Sequence, residues 1–392
     1  MRRSISSLFV VVLASFSCSV LAFSQVAYSA TDATLNIPAA GAAGTFVYVS
    51  TQEGTNYEIN AYSSAANGRL TSVSGSPFAA NANYMALNGK YLFGSNGVDI
   101  YSFSIASDGA LTQVASLNAQ NYNQNSCGGP ENLFLDRTGA TLYDPDYLGN
   151  ICANNAYQAF SIDNATGALN YLGSAVASPA FNSALSFVGD NLFGYSSDCY
   201  HFMPGIFSYA RSGEGTLTQT SGTAAPIPAA SAGNYYCPYL SAADSANHVA
   251  IPLMPMSDST WQPSGPVQIA VYTADSSGNL TTTSTSANMP KSGVSTVTDI
   301  RISPSGKLIA VAGTSGLQVF HFNGANPATH FTGLLAAGQV DHIFWDNSSH
   351  LYAISTSAGK LMVFTMSATG ATPAPGSPYT IANPQNIAVL AR

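Results

Sequence analysis

Short runs of alternating apolar and polar residues, separated by polar turns, recur along the chain. The segment SPSGKLIAVAGTSGLQVFHF (303–322) shows this pattern, since a Ser-Pro-Ser-Gly turn leads into an apolar run, a second turn and another alternating run. Alternation with a period of two residues is typical of β-strands whose two faces meet different surroundings. No stretch keeps a helical period over three turns. The sequence therefore predicts an all-β protein.

A longer unit occurs seven times. In most copies a strand-like run with an aromatic residue leads to a turn glycine, as in IYSFSIASDGALTQV (100–114), and the copy at 316–331 is degenerate. The turn glycines are Gly68, Gly109, Gly167, Gly215, Gly278, Gly324 and Gly370. They follow one another at roughly 40 to 60 residues, which is near the length of a four-stranded propeller blade.

The two ends of the propeller region complement each other. FVYVSTQEG (46–54) has no inner strand before it, and QNIAVLAR (385–392) has no partner strand after it. Pairing the two runs completes the last blade and leaves few exposed sheet edges. We predict that residues 45–392 form a single seven-bladed β-propeller of four-stranded antiparallel blades, closed by this pairing.

The N-terminal region is typical of an export signal. Arg2 and Arg3 precede the apolar run LFVVVL (8–13), and small residues offer cleavage sites near residues 24 and 29. We therefore predict a signal peptide over residues 1–29, a short linker over residues 30–44 and a periplasmic or extracellular mature protein.

Composition narrows the range of partners. Only 8% of the residues are charged, the formal net charge is −8, and the basic residues are scattered. Nucleic acids and anionic membranes are therefore not expected as partners. No transmembrane segment is predicted in the mature chain, and we expect a monomer. A lipid anchor at Cys18 is the weaker alternative, because Ser15-Phe16-Ser17 matches a lipoprotein box poorly.

Four further cysteines favour disulfides, since their number is even and the chain carries an export signal. Their spacing contains no CxxC pair, so a zinc site is not expected. Three pairings are possible. All four cysteines fall in predicted loops at one face, and we favour Cys127–Cys152 within one blade and Cys199–Cys237 between neighbouring blades.

Two segments resemble a known family. SPSGKLIAV (303–311) resembles the turn and strand of YVTN-repeat propellers, and FSIASDGAL (103–111) resembles the repeat of the seven-bladed lactonase family, which includes bacterial 6-phosphogluconolactonase. This resemblance covers nearly all of the chain after residue 45 and implies a lactonase-like fold and activity. The family's inner strands often begin with a GPRH-like run. Here the matching run is Gly-Pro-Glu-Asn, with Glu131 and Asn132 in place of arginine and histidine.

The starts of the predicted innermost strands meet at one face of the ring. In chain order they are Asn83-Tyr84, Glu131-Asn132, Ser183-Ala184, Cys237-Pro238, Thr298-Asp299, Asp341-His342 and Gln385-Asn386. A carboxylate beside an imidazole is suited to general-base catalysis on water, and an arginine is suited to stabilising an oxyanion. The candidate catalytic residues are Glu131, Arg301, Asp341 and His342. The candidate ligand-binding residues are Asn132, Asp299, Tyr236 and Asn386.

Two functions stay open at this point. One is binding of a small ligand, a glycan or an envelope protein without catalysis, in which case Arg301 is only an ion-pair partner of Asp299 or Asp341. The other is lactone hydrolysis, more suited to a non-phosphorylated sugar lactone because the predicted mouth has one arginine and no lysine. No cofactor is expected. No metal is expected either, because residues 144–150 lack the acid spacing of an EF-hand loop.

Overall fold

A computed structural model describes residues 44–123, 132–148, 154–176, 184–200, 203–220 and 225–391. These residues form seven antiparallel sheets, each with a core of four strands, and one short helix. The sheets are the blades of a β-propeller, so the predicted fold class is confirmed. No helix among the described residues is long and apolar enough to span a membrane.

The first four blades follow one another along the chain. Blade 1 contains β1 (Thr45–Glu53), β2 (Asn56–Ser64), β3 (Leu70–Ser72) and β4 (Phe78–Ala79). Blade 2 contains β5 (Tyr84–Leu87), β6 (Tyr91–Ser95), β7 (Asp99–Ile105) and β8 (Leu111–Asn118), and the helix α1 (Gln120–Asn123) follows it. Blade 3 contains β9 (Phe134–Leu135), β10 (Thr141–Leu148), β11 (Asn154–Ile162) and β12 (Leu169–Val176). Blade 4 contains β13 (Ser186–Phe187), β14 (Phe193–Tyr200), β15 (Met203–Arg211) and β16 (Leu217–Gln219).

The remaining three blades lead back to the first. Blade 5 contains β17 (Asn234–Pro238), β18 (Ala242–Ala243), β19 (His248–Ser257), β20 (Gln268–Ala274) and β21 (Leu280–Thr282). Blade 6 contains β22 (Val297–Ile302), β23 (Leu308–Gly313), β24 (Gly316–Asn323) and β25 (Asn326–Ala337). Blade 7 contains β26 (His342–Trp345), β27 (His350–Ser355), β28 (Lys360–Ser367), β29 (Gly370–Pro373) and β30 (Tyr379–Thr380). The last strand, β31 (Pro384–Leu390), is the inner strand of blade 1.

Both ends of the described chain close the ring. Strand β31 pairs antiparallel with β1, with Leu390 opposite Phe46 and Ile387 opposite Val49. All four of these side chains are buried. The predicted closure is confirmed, and it removes the free edge that each of the two strands would otherwise expose.

The blades pack against one another through apolar faces and a recurring tyrosine bond. Tyr48, Tyr143 and Tyr195 are fully buried on second strands. Their hydroxyls donate to carbonyl oxygens in the next blade, those of Gly109 at 3.0 Å, Gly215 at 2.7 Å and Gly278 at 3.1 Å. A buried hydroxyl needs such a partner to offset its desolvation, so each bond also sets the position of one blade against the next.

Every innermost strand runs in the same direction through the ring, because each blade repeats the same antiparallel order. We call the face where these strands begin the mouth. We call the opposite face, which is formed by the turns after the innermost strands, the base. The base includes the turns at 136–139, 244–247 and 303–306.

Candidate functional site

A cavity of about 450 Å³ lies at the centre of the ring. Each blade contributes at least one side chain from its innermost strand to the wall. From blade 1 to blade 7 these include Ile387, Leu87, Leu135, Phe187, Ala243, Ile302 and Phe344. Apolar residues therefore outnumber polar ones in the lining, as in most small-molecule sites.

Polar side chains line this cavity where the innermost strands begin. Asn132, Asp299, His342 and Asn386 are all among the lining residues. They are the second members of the residue pairs that the sequence placed at the strand starts. The structure therefore brings together three of the four candidate ligand-binding residues with two candidate catalytic residues, His342 and Arg301.

Arg301 lies one step deeper along the same wall, and its side chain is held on two sides. Its Nε donates to Oδ1 of Asp299 at 3.2 Å, and the guanidinium carbon lies 5.2 Å from the centre of the Phe344 ring. The side chain is 48% exposed. Its terminal nitrogens donate to no protein atom of the described residues, and no other arginine or lysine of that part of the chain lines the cavity.

Asp299 positions its neighbours. Its Oδ2 accepts the backbone N–H of Ile343 at 3.0 Å, while its Oδ1 holds Arg301. The distance from Oδ2 to Nδ1 of His342 is 3.9 Å, which is too long for a hydrogen bond. Asp299 thus joins blades 6 and 7 at the mouth, and both of its oxygens are already engaged.

The imidazole of His342 is uncharged at neutral pH. Desolvation lowers the pKa of His342, and the charge of Arg301 acts in the same direction against the pull of Asp299 and Asp341. The side chain is 29% exposed and lines the cavity. A neutral imidazole that reaches a cavity can accept a proton from water or from a ligand hydroxyl.

Asp341 and Glu131 do not add to this group. The structure turns the carboxylate of Asp341 to the neighbouring loop, where Oδ1 accepts from Nε2 of Gln339 at 2.5 Å and Oδ2 accepts the N–H of Thr356 at 2.7 Å. Asp341 is not among the residues that line the cavity. Glu131 lies outside the described residues.

Tyr236 belongs to the core between blades 4 and 5. The side chain is buried in an apolar cluster, and its hydroxyl donates to Oε1 of Gln268 at 2.5 Å. Tyr236 is likewise absent from the cavity wall. Its predicted role in ligand binding therefore has no support from this placement.

One of the two predicted disulfides is present. Cys199 at the end of β14 is bonded to Cys237 in β17, with 5.2 Å between the Cα atoms. The bond joins blade 4 to blade 5 close to the mouth. The other predicted pair, Cys127 and Cys152, lies outside the described residues.

Comparison of the seven inner strands with one another predicted the wrong lining residues for blade 5. Cys237-Pro238 was expected at the start of the innermost strand, but Leu240 and its successors line the cavity instead. Leu240 has a positive φ of 56° and divides the strand into β17 and β18, while its carbonyl accepts from Oγ of Ser197 at 2.5 Å. An apolar residue in the left-handed region has no local sequence signal.

Potential metal ligands form no cluster among the described residues. Within the ranges that the structure describes, no group of three His, Cys, Asp or Glu side chains is arranged to hold a metal ion.

Comparison with known proteins identifies the fold. No family model and no curated protein matches the sequence. A candidate 6-phosphogluconolactonase from Bacteroides fragilis superimposes with a TM-score of 0.64, at 14% identity over 88% of this chain and 98% of the other. The periplasmic gluconolactonase of Pseudomonas aeruginosa gives 0.62, at 14% identity over 89% and 99% of the two chains.

A third similar structure carries a different description. A hypothetical selenium-binding protein from Sulfolobus tokodaii superimposes with a TM-score of 0.60, at 10% identity over 90% of this chain and 94% of the other. The resemblance to lactonase-like propellers is thus confirmed as a resemblance in fold. One fold supports several functions, so the function has to be argued from the site.

Proposed function

We propose that the protein binds a small, oxygen-rich ligand, of the class of sugar lactones or the acids derived from them, in the cavity at the mouth. The observation that carries this proposal is the placement of Arg301. Asp299 accepts from its Nε and its guanidinium lies over the ring of Phe344, while its terminal N–H groups are left for an acceptor in the cavity. A guanidinium fixed in this way is well suited to a carbonyl or carboxylate group.

The remaining wall fits such a ligand. The volume of about 450 Å³ is within the range of small-molecule sites. Asn132 and Asn386 supply amide donors and acceptors at the rim, and the apolar residues below them suit the carbon skeleton of a sugar ring. A phosphate dianion usually requires several cations, so a ligand without phosphate is favoured for this site.

Hydrolysis of a sugar lactone is the second candidate function, and the pairing of Arg301 with a neutral His342 favours it. In this reaction His342 takes a proton from water as its oxygen attacks the lactone carbonyl carbon, and Arg301 donates to the oxyanion that forms. The bond from the carbonyl carbon to the ring oxygen then breaks, and His342 returns the proton to that oxygen. The product is an open hydroxy acid.

Export of the protein is part of the proposal. The Cys199–Cys237 disulfide suits an oxidising compartment, and one of the similar structures is a periplasmic protein. We propose that the mature protein acts outside the cytoplasm as a monomer. A glycan or an envelope protein as the ligand is the alternative that the binding test below examines.

Calorimetric titration tests the binding proposal, with a panel of aldonates, aldonolactones and short glycans on the mature protein. Arg301→Gln should weaken binding of the best aldonate by about tenfold or more, because a charge-assisted hydrogen bond is lost. Arg69→Gln, which removes an exposed arginine from an outer turn, should leave the affinity unchanged. Equal affinity in wild type and Arg301→Gln, or no binding to any panel member, would contradict the proposal.

A pH-stat assay separates binding from turnover. Lactone hydrolysis above the spontaneous rate should disappear in His342→Gln, while this variant still binds the aldonate within a few-fold of wild type. A wild-type trace no faster than the spontaneous reaction would reject hydrolysis and leave the binding proposal standing.

A further inference from the structure

A second, smaller cavity opens at the base of the propeller. Its volume is about 220 Å³. Turn residues such as Arg137, Ser245 and Ser303 line it, together with Trp345 at the end of an innermost strand. Because the turns that follow the innermost strands form this wall, the cavity faces the side opposite to the mouth.

The two cavities meet at Arg301. Arg301, Ile302, Phe344 and Ala243 line both of them. Arg301 therefore belongs to the walls of both the mouth cavity and the base cavity, and the base cavity contains a second arginine, Arg137.

Arg137 reaches across the base from blade 3 to blade 5. Its Nη1 donates to the carbonyl oxygen of Asp244 at 2.8 Å and to that of Phe187 at 3.3 Å. Its backbone N–H donates to Oδ1 of Asn191 at 2.9 Å, which fixes the turn that carries it. Carbonyl groups hold the side chain in place but leave its positive charge uncompensated.

The nearest carboxylate in this wall is engaged elsewhere. Asp244 Oδ2 lies 2.7 Å from Nδ1 of His248, and Oδ1 accepts the backbone N–H groups of Ala246 and His248 at 2.9 Å each. Arg137 forms no ion pair with any carboxylate of the described residues. Asp136, its neighbour in sequence, is paired with Arg211 at 2.8 Å instead.

We propose that the base cavity is a second binding site, which takes a small oxyanion such as inorganic phosphate or a carboxylate between Arg137 and Arg301. Two guanidinium groups present the planar N–H donors that phosphate and carboxylate oxygens accept. A cavity of this volume holds one such group. The base cavity shares Arg301 with the mouth cavity but differs from it by Arg137, which does not line the mouth cavity.

The two tryptophans of the chain provide a direct reporter. Trp345 lines the base cavity, whereas Trp261 is 48% exposed in the connection between β19 and β20 at the mouth face. In Trp261→Phe, Trp345 is the one remaining tryptophan. Titration of this variant with inorganic phosphate, and separately with acetate, should change the Trp345 emission in a saturable way. Chloride at matched ionic strength is the control for screening.

Arginine variants in this background locate the site. Arg137→Gln should weaken phosphate binding by about tenfold or more, since charge-assisted hydrogen bonds are lost. Arg137→Lys keeps the charge and should weaken it less, and Arg69→Gln should leave it unchanged. A flat or non-saturable emission response, or equal phosphate affinity in the Arg137→Gln and Arg69→Gln variants, would overturn the proposal.

A measurement on the wild-type protein avoids any effect of the substitutions on folding. Phenylglyoxal modifies accessible arginines, and peptide mass mapping identifies which ones react. Phosphate should protect Arg137 and Arg301 while Arg69 stays reactive. If phosphate protects all three arginines or none of them, the site is contradicted. A ligand of the mouth cavity should protect Arg301 but not Arg137, and this difference distinguishes the proposal from the function proposed above.

Discussion

Arg301 is the residue on which both proposals depend, and its position follows from strand geometry. It lies two residues after Asp299 on β22, so alternation places both side chains on the face of the strand that lines the central cavity. Its ion pair with Asp299 and its cation–π contact with Phe344 hold the guanidinium in place. A long side chain thereby becomes a fixed donor for whatever occupies the channel.

At the residue scale, we predict that His342 makes stability depend on pH. Burial lowers the pKa of His342 below the value of 6.5 that applies in the unfolded chain. On the acid side the unfolded state therefore binds more protons than the folded state. His342 costs no stability above pH 6.5, and the free energy of unfolding decreases as the pH falls through 6.5 towards the lowered folded pKa. Urea denaturation of wild type and His342→Gln should give free energies of unfolding whose pH profiles diverge on the acid side.

A matched histidine serves as the control for that profile. His330 is exposed on β25, so His330→Gln controls for the replacement of a histidine as such. Parallel profiles for wild type and His342→Gln across the acid range would show that burial of His342 has no such effect.

At the level of single residues, alternation along a strand predicts the direction of a side chain. Asp299, His342 and Asn386 reach the channel because they occupy equivalent positions on their strands. Asp341 was selected together with His342, but adjacent residues on an extended chain point to opposite sides, and Asp341 faces a loop. Tyr236 was selected as an aromatic residue near the mouth, but it is buried between blades 4 and 5.

At the scale of elements, the turn glycines also form contacts between blades. Gly109 has a φ of +89°, and a Cβ at this position would lie 2.3 Å from Cδ1 of Phe46 in the preceding blade. Gly278 lies in the same way against Phe193. These turn glycines of the repeat are therefore required for two reasons, the conformation of the turn and the close packing of the neighbouring blade.

We predict that Gly109→Ala lowers the free energy of unfolding by about 2 kcal/mol or more, since it combines a strained φ with a clash in the core. Gly213→Ala is the matched control, because that glycine is outside the left-handed region and has no atom within 4 Å of the added Cβ. Urea denaturation measures both. A loss in Gly109→Ala no larger than in Gly213→Ala would show that the turn tolerates a side chain.

The break in the inner strand of blade 5 could not be predicted from the sequence pattern. Leu240 adopts a left-handed conformation that apolar residues disfavour, and a hydroxyl from blade 4 bonds its carbonyl. Contacts from a neighbouring blade override the local preference there. The alignment of seven similar strands could not predict which one would break.

At the scale of the whole molecule, closure of the ring joins two segments that are more than three hundred residues apart, as the pairing of Phe46 with Leu390 shows. The last strand is almost entirely buried, and its partner β1 lies in the interior of the same blade. Stability of the whole ring should therefore respond to a change in a strand at the very end of the chain.

We predict that Val389→Asp destabilises the whole propeller by about 3 kcal/mol or more, because it places a carboxylate where the native side chain is 3% exposed. Leu192→Asp makes the same kind of change at a site that is 52% exposed and should cost little. The urea midpoint of each variant tests this. Similar midpoints for the two would mean that the closing strand is not needed for the stability of the ring.

The sequence by itself determined the class of the fold, the number of blades and the closure, because these depend on local alternation, turn residues and the need to satisfy strand edges. It also indicated most of the polar residues of the channel through their register. Only the tertiary structure decided which of them converge, that Phe344 holds Arg301, and that Arg137 crosses the base to blade 5. The physical reason is that these contacts join different blades, and their distances depend on how seven sheets pack around one axis.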